Sequence, residues 1–243
     1  MRKLLGVVAV TTAALVAAPG HAADMIEYPP IEIPPVDYEL GGSFYLRGSA
    51  AVGAMWGTTV QYRDCVAPCG GTVVTTNPVT GAGYGYSVGA GFGYETGDGL
   101  RGDFTVDYLV NNGMTDGTNT LNLRSTIALA NAYYDFNLGG FGMGGGGLGA
   151  YVGAGIGAAY NQTSVTAAVG AGPDGANWAP AAALMTGITY DMGDMVADLG
   201  YRLIYMPQIT NGDAALPAPS LSPYYVNNAT IHELRGTLRY RLN

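Results

Sequence analysis

Eight segments of this chain alternate apolar and non-apolar residues over about 11 to 14 positions each. A two-residue period is typical of a β-strand with two unlike faces. Strands of ordinary globular domains average about 5–6 residues, whereas a tilted strand that crosses a bilayer needs about 9–11. The pattern therefore predicts eight strands long enough to cross a membrane. The segments are 43–56, 83–95, 100–110, 124–137, 148–160, 179–192, 195–206 and 230–242.

The composition excludes several other classes of protein. Hydrophobic residues make up 48% of the chain, which is too apolar for a disordered protein. Beyond the N-terminal region no run of 18 apolar residues occurs, which argues against a helical membrane protein. Only 12% of residues are charged and the formal net charge is −8, so the basic patch that a nucleic-acid partner requires is missing.

The N-terminal region has the features of an export signal. Arg2 and Lys3 precede an apolar run over 4–18, and Pro19-Gly20 leads to the small residues of a cleavage site after Ala22. The acidic, proline-rich stretch that follows favours an extended, solvated chain. We predict three parts: a signal peptide at 1–22, a periplasmic tail at 23–42 and a β-barrel at 43–243.

The connections between the segments alternate in length. Short or glycine-rich links lie at 96–99, 138–147 and 193–194, and long links lie at 57–82, 111–123, 161–178 and 207–229. Outer-membrane barrels have tight periplasmic turns at one end and long external loops at the other. The sequence therefore predicts an all-β fold, an eight-stranded, antiparallel, up-and-down transmembrane β-barrel with both termini in the periplasm.

The two faces of each segment leave one alternative open. In 100–110, Asp103 and Asp107 lie on the face opposite Phe104 and Val106. In a soluble barrel or sandwich the apolar face is the core, whereas in a membrane barrel it faces lipid.

Two features favour the membrane. Two segments carry mainly glycine on the non-apolar face, as a narrow closed barrel needs where large residues lie opposite. Aromatic residues recur near the ends of the apolar faces, which suits interfacial girdles, although tyrosine also favours strands in general. These aromatic residues are Trp56, Tyr84, Tyr94, Tyr134, Tyr160, Tyr190, Tyr205 and Tyr240.

A membrane barrel would turn most of the charged residues into its lumen. Charges removed from water must be paired, and arginine suits bidentate pairing with carboxylates. Eight strands leave an interior that side chains just fill, so we expect a plug of salt bridges with little or no channel. The predicted lumen residues are Arg47, Glu95, Arg101, Asp103, Asp107, Asp135, Asp191, Asp198, Arg202, Glu233, Arg235, Arg239 and Arg241.

Four short sequences resemble a known family. They are GSFYLRG at 42–48, NAYYDF at 131–136, GAYVGAGIG at 149–157 and HELRGTLRYR at 232–241. In this order and spacing they resemble small eight-stranded outer-membrane barrels of alphaproteobacterial surface antigens, relatives of the opacity proteins and of the barrel of outer-membrane protein A. The resemblance implies a surface protein of the outer membrane with a structural or antigenic role. Members of that family usually end on an aromatic residue, whereas this sequence ends on Asn243.

Two functions are alternatives to this structural or antigenic role. One is a narrow pore for small solutes, and the other is an adhesin acting through external loops. We expect a monomer in contact with outer-membrane lipid and lipopolysaccharide, assembled by the barrel assembly machinery. We expect no enzyme and no cofactor, because the one histidine left after signal removal, His232, is predicted to face lipid.

Cys65 and Cys69 are the only cysteines, and both lie in the first long link. Export to an oxidising compartment favours a disulfide between them. A metal site would need further ligands, and only Asp64 is near. We therefore predict a loop-bracing disulfide and no metal.

Overall fold

A computed structural model describes residues 42–66, 71–139, 147–167, 174–211 and 224–242. Within these ranges the chain is all β, and no helix there is long and apolar enough to cross a membrane. The strands are β1 Ser43–Trp56, β2 Thr59–Val66, β3 Gly71–Pro78, β4 Gly83–Glu95, β5 Leu100–Thr115, β6 Asn119–Asn137, β7 Gly147–Ala167, β8 Gly175–Asp191, β9 Met195–Thr210 and β10 Tyr224–Leu242.

Eight of these strands form a closed ring. Each strand pairs antiparallel with the next in the order β1, β4, β5, β6, β7, β8, β9, β10. The ring closes where residues 44–56 of β1 pair with residues 230–242 of β10. The predicted eight-stranded, up-and-down barrel is thereby confirmed. Closure leaves none of these eight strands with an unpaired edge inside the membrane, as a lipid environment requires.

The two ends of the ring differ. We call the end with the turns at 96–99 and 192–194 the turn end, and the opposite end the loop end. At the turn end the strand boundaries agree with the sequence prediction to within one residue. At the loop end the strands run further than predicted: β5 continues to Thr115 and β10 begins at Tyr224. The predicted long link at 111–123 is therefore wrong, because only residues 116–118 lie outside strands there.

The predicted long link at 57–82 also contains regular structure, the hairpin β2–β3. Thr59–Tyr62 of β2 pair with Tyr224–Asn227 of β10 directly beyond the stretch of β10 that pairs with β1. After β3, the backbone of Gly81 forms a bridge to Thr115 of β5. The hairpin thus fills the place of β1 and β4 at the loop end. We call this extension of the barrel the collar: residues 57–62, 73–82, 111–126, 161–166, 206–211 and 224–230.

The exterior of the ring between the collar and the turn end is apolar. Large hydrophobic side chains point outward and are at least 43% exposed. We call them the belt. They include Phe44, Leu46, Val52, Tyr86, Val88, Phe92, Phe104, Val106, Val152, Ile156, Leu184, Ile188, Leu199, Leu234 and Leu238.

Several predictions fall outside the described part of the chain. The signal peptide and all of the tail before Gly42 lie there, as does Cys69, and the side chain of Cys65 is not described. The signal peptide and the disulfide therefore stay predictions.

Candidate functional site

The lumen is the candidate functional site. Its half toward the turn end carries charged side chains, the outermost of which line a cavity of about 600 Å³. Ten ion pairs with N···O distances up to 4.0 Å join six arginines and seven carboxylates in the described residues. Strand alternation directs these side chains inward, and barrel closure brings distant strands face to face. We call this set the charge network. It forms three connected layers.

The first layer surrounds Asp103 on β5. Arg47 Nη1 on β1 lies 2.5 Å from Asp103 Oδ2 and also donates to the Tyr133 hydroxyl at 2.8 Å. Tyr45 and Asn131 donate to the same carboxylate at 3.0 and 2.7 Å. Four side chains from two strands, β1 and β6, thus hold one buried carboxylate in place, which offsets the cost of removing it from water.

Arg101 connects this layer to aromatic rings. Its guanidinium makes a bidentate pair with Asp135, with N···O distances of 2.9 and 3.0 Å. The Cζ atom lies 4.0 Å from the ring centroid of Tyr133 and 5.5 Å from that of Tyr151. A planar cation between aromatic faces gains cation–π energy and fills volume, which a lysine could not do as well.

The second layer surrounds Asp107 and lies nearer the loop end. Arg202 on β9 bridges two carboxylates: its Nη1 lies 2.7 Å from Asp107 Oδ2, and its Nε lies 2.7 Å from Glu233 Oε2. Arg235 on β10 pairs with the other oxygen of Asp107. Ser87 on β4 donates to Glu233 at 2.7 Å. This layer therefore ties four strands together across the full width of the lumen.

The third layer lies at the turn end and is partly solvated. Arg239 pairs with Asp198 and Glu95, both at 3.1 Å. Arg241 also pairs with Glu95, and its Nη2 lies 2.7 Å from Asp191 Oδ2. The Asp191 side chain is 36% exposed, so these outermost pairs are screened by water more than the inner ones are.

The half of the lumen toward the loop end is mainly apolar, with a few buried polar side chains such as Ser125 and Asn161, and the sequence analysis did not predict this. Two residues beyond Asp107, Arg202 and Glu233 the inward positions become Leu109, Ile204 and Ile231. The salt-bridge plug therefore fills only part of the interior, and a hydrophobic core that continues into the collar fills the rest. We call it the apolar core. It includes Met55, Val60, Leu109, Met114, Leu121, Leu123, Ile127, Leu129, Val165, Ile204, Met206, Ile209, Val226 and Ile231.

Inward glycines on β4 and β7 make room for this packing. A methyl group at Gly89 would overlap the Asp107 carboxylate, and one at Gly153 would overlap the Tyr133 ring. These two glycines thus leave no slack, because side chains from β5 and β6 occupy the space, whereas Gly147 and Gly149 of β7 line a cavity of about 600 Å³ at the turn end.

No protein-family model matches the chain, but curated proteins of Brucella resemble it. An uncharacterized protein of Brucella suis biovar 1 (strain 1330) is 31% identical over 235 residues, and the match covers 79% of this chain and 77% of that protein. An uncharacterized protein of Brucella abortus (strain 2308) matches with the same identity and coverage. This chain belongs to the same family as these Brucella proteins.

Three solved structures also resemble this chain. Neisserial surface protein A is 22% identical, with 83% of this chain and 99% of that chain covered and a TM-score of 0.49. Ail, the attachment invasion locus protein of Yersinia pestis, is 10% identical, with 80% and 98% covered and a TM-score of 0.35. The outer membrane protein OprG from Pseudomonas aeruginosa is 17% identical, with 83% and 96% covered and a TM-score of 0.34.

The polarity of the outer surface indicates where in the cell this protein is located. A closed ring with an apolar belt outside and buried charges inside is stable only where lipid surrounds the belt. The protein is located in the outer membrane. Its aromatic residues fit that setting: Tyr190 and Tyr240 lie outward near the turn end, and Tyr84 and Trp178 lie outward near the loop end.

The structure brings together all thirteen residues that strand parity assigned to the lumen, and each takes part in at least one ion pair. The sequence analysis missed the uncharged partners Tyr45, Tyr133 and Asn131, which hold Asp103. Their inward parity is visible in the sequence, but the girdle interpretation covers only the outward tyrosines. His232 lies outward as predicted, with Nδ1 2.5 Å from the Tyr201 hydroxyl.

Proposed function

We propose that this protein is a surface barrel with a structural and antigenic role in the outer membrane, and that its lumen is closed. One observation carries the proposal: beyond a cavity of about 600 Å³ that opens at the turn end, the inner layers of the charge network and the apolar core fill the described interior as far as the collar. Solute passage would require separating buried ion pairs and opening a hydrophobic core in the same molecule. Each of these steps costs several kcal/mol.

The experiment is a conductance measurement on purified barrel in planar lipid bilayers. We expect no discrete current steps under conditions where gel migration before and after heating shows that the same sample is folded. Discrete steps in the wild-type protein would support the alternative of a narrow pore instead. A variant with Arg202→Ser and Glu233→Ser, which removes both ion pairs of Arg202, shows whether the charge layer alone limits current.

A second candidate function is adhesion through the collar. The collar projects beyond the belt, and β3 exposes Val73 and Val74, whose residues are 52% and 62% exposed. Exposed branched apolar residues on a strand with few pairing partners suit contact with another protein. Bacterial cells that display the wild-type protein should bind host cells more than bacterial cells that display the variant Val73→Asn with Val74→Asn. Equal binding by both would refute a role for this hairpin.

We further propose the remaining properties that the resemblance implies. The chain is grouped with the opacity-like surface antigens, is a monomer, contacts lipopolysaccharide and is inserted by the barrel assembly machinery. We propose that it is not an enzyme. The outward position of His232 supports this, because it separates that imidazole from the carboxylates of the lumen. Assaying purified barrel for lipopolysaccharide modification tests the proposal, and a modified product would overturn it.

A further inference from the structure

One arginine lies on the outer face of the barrel. Arg124 on β6 is exposed, whereas the six arginines of the charge network point into the lumen. Among the side chains that the structure describes on the outer faces of the strands, Arg124 is the only aspartate, glutamate, lysine or arginine. None of the ten ion pairs in the described part of the chain includes it. The described part of the chain therefore supplies no carboxylate partner for this cation.

The outward row of β6 places Arg124 at the edge of the bilayer. Toward the turn end the row continues with Thr126 and then with the apolar Ala128 and Ala130. Toward the loop end it continues with the amide of Asn122. The loop end faces the outside of the cell, since outer-membrane barrels keep their tight turns in the periplasm. The lipid headgroups at the level of Arg124 therefore belong to the outer leaflet.

The neighbouring strands show the same order of polarity. Gln162 on β7 lies directly opposite Arg124, and the exposed Ser164 follows one step nearer the loop end. One step nearer the turn end the outward side chains of β5 and β7 are Tyr108 and Tyr160. Aromatic rings of this kind mark the interface between acyl chains and headgroups. From the turn end to the loop end, the surface thus changes from apolar to cationic and then to polar and uncharged.

We propose that Arg124 is the centre of a binding site for a phosphate group of lipopolysaccharide in the outer leaflet. Acyl chains, phosphate and sugars follow one another in that glycolipid in the same order as the matching surfaces of β5, β6 and β7. A guanidinium can donate two parallel hydrogen bonds to phosphate oxygens. The attraction is stronger at the edge of the bilayer than in bulk water, because lipid lowers the effective dielectric constant there. The inference rests on the proposed contact with lipopolysaccharide and assigns that contact to one face of the barrel.

The test measures the affinity of diphosphorylated lipid A for the folded full chain in a non-ionic detergent that contains no phosphate. Native mass spectrometry separates the free barrel from the barrel with one bound lipid. We expect the wild type to prefer this lipid to the same lipid with both phosphates removed. Arg124→Gln should lower the affinity for the phosphorylated lipid by about tenfold, the effect of losing one charged hydrogen-bonding group. Its affinity for the dephosphorylated lipid should not change, and Arg124→Lys should retain part of the preference because the charge remains.

Asn228→Asp is the matched control, because it changes the net charge by the same amount at an exposed position of β10, four strands away along the ring. The Tyr205 hydroxyl donates to Asn228 Oδ1, and an aspartate accepts the same hydrogen bond. This variant should bind the phosphorylated lipid as the wild type does. Gel migration before and after heating shows that each variant is folded.

Two results would overturn the site at Arg124. One is equal affinity of Arg124→Gln and the wild type for the phosphorylated lipid. The other is an equal loss in Arg124→Gln and Asn228→Asp, which would indicate general repulsion between the protein and the lipid. Both results leave the closed lumen intact, because the conductance measurement tests it separately. If the wild type binds neither form of the lipid, the proposed contact with lipopolysaccharide is refuted together with the site.

Discussion

Single residues in the lumen contribute very different amounts to the stability of the barrel, and the burial of each side chain determines how much it contributes. The Asp107 side chain is 0% exposed and holds two cations, Arg202 and Arg235. Both cations are also buried, so removing this one negative charge leaves two guanidinium groups without adequate compensation. Asp191 pairs with Arg241 in good geometry, but water already solvates that pair.

We therefore predict that Asp107→Asn lowers the free energy of unfolding by about 3–5 kcal/mol, the range for breaking a buried ion pair. Asp191→Asn is the matched control and should cost about 1 kcal/mol or less. Urea unfolding in lipid vesicles measures both, with the fluorescence of the two tryptophans as the signal. Equal losses in the two variants would show that the lumen is wet throughout.

At the scale of the element, β4 and β7 act as thin walls against which side chains of β5 and β6 pack. Gly153 faces the Tyr133 ring, whereas Gly48 on β1 points outward with no described atom within 4 Å of an added methyl group. The two glycines are thus the same residue type in the same kind of strand, but only one is required by packing.

This contrast predicts opposite results for two conservative substitutions. Gly153→Ala should destabilise the barrel by about 1–3 kcal/mol, since it forces Tyr133 and the charge network to shift. Gly48→Ala should be neutral or should stabilise the barrel by up to about 1 kcal/mol, because alanine has less conformational freedom to lose on folding. The same unfolding assay measures both changes. A loss at Gly48 as large as that at Gly153 would contradict the packing argument.

The collar is an element with its own pH response. Tyr224 stacks on Tyr62 with ring centroids 6.1 Å apart, and its buried hydroxyl has no hydrogen-bond partner in the described residues. Burial, followed by the nearby charge of Asp116, raises the pKa of Tyr224. The folded collar therefore favours the protonated tyrosine. Its stabilising contribution is complete below the unfolded pKa of about 10 and is lost as the pH rises above that value.

We accordingly predict that the collar of the wild type becomes sensitive to protease as the pH rises above about 10, before the barrel itself unfolds. Tyr224→Phe should retain resistance to higher pH, because it removes the titrating group without removing a hydrogen bond. Tyr225→Phe, at the neighbouring and less buried position, serves as the control for general effects of high pH. Identical pH profiles for all three proteins would rule out Tyr224 as the cause.

The sequence predicted some elements better than others for physical reasons. Alternation located every barrel strand and assigned the side of each lumen charge, since parity alone decides which face Asp107 or Arg202 occupies. It missed the extensions of β5 and β10 because residues such as Asn111 and Asn227 have low strand propensity and were assigned to loops. It also missed which carboxylate each arginine meets, because those pairs join residues up to 146 positions apart in the sequence, as in the pair of Arg241 with Glu95.

At the scale of the whole molecule, the outer surface of the barrel changes along the barrel axis. It is apolar where it faces lipid and polar in the collar, where it faces water. On β6 the outward residues Ala130 and Ala132 belong to the lipid-facing region, while Asn122 and Arg124 face outward in the collar. The inward residues change in the opposite sense, from Asp135 near the turn end to apolar side chains near the loop end. The medium outside each part of the barrel, lipid or water, therefore determines whether the apolar side chains point outward or inward. The boundary of the membrane lies between Ala128 and Arg124.

One pair of substitutions on the same face of β6 tests that boundary. Ala130→Arg places a cation among acyl chains and should cost about 2–4 kcal/mol, the range for arginine near the midplane of a membrane barrel. Asn122→Arg, eight residues along the same outward row, should cost about 1 kcal/mol or less, because it loses only the exposed hydrogen bond that Gly113 N–H donates to Asn122 Oδ1. Unfolding in vesicles measures the two variants side by side. If both cost little, the belt does not face lipid and the interior of the barrel must be explained as the core of a soluble protein. If both substitutions cost several kcal/mol, the bilayer covers the collar as well, and the outer surface of the collar does not face water.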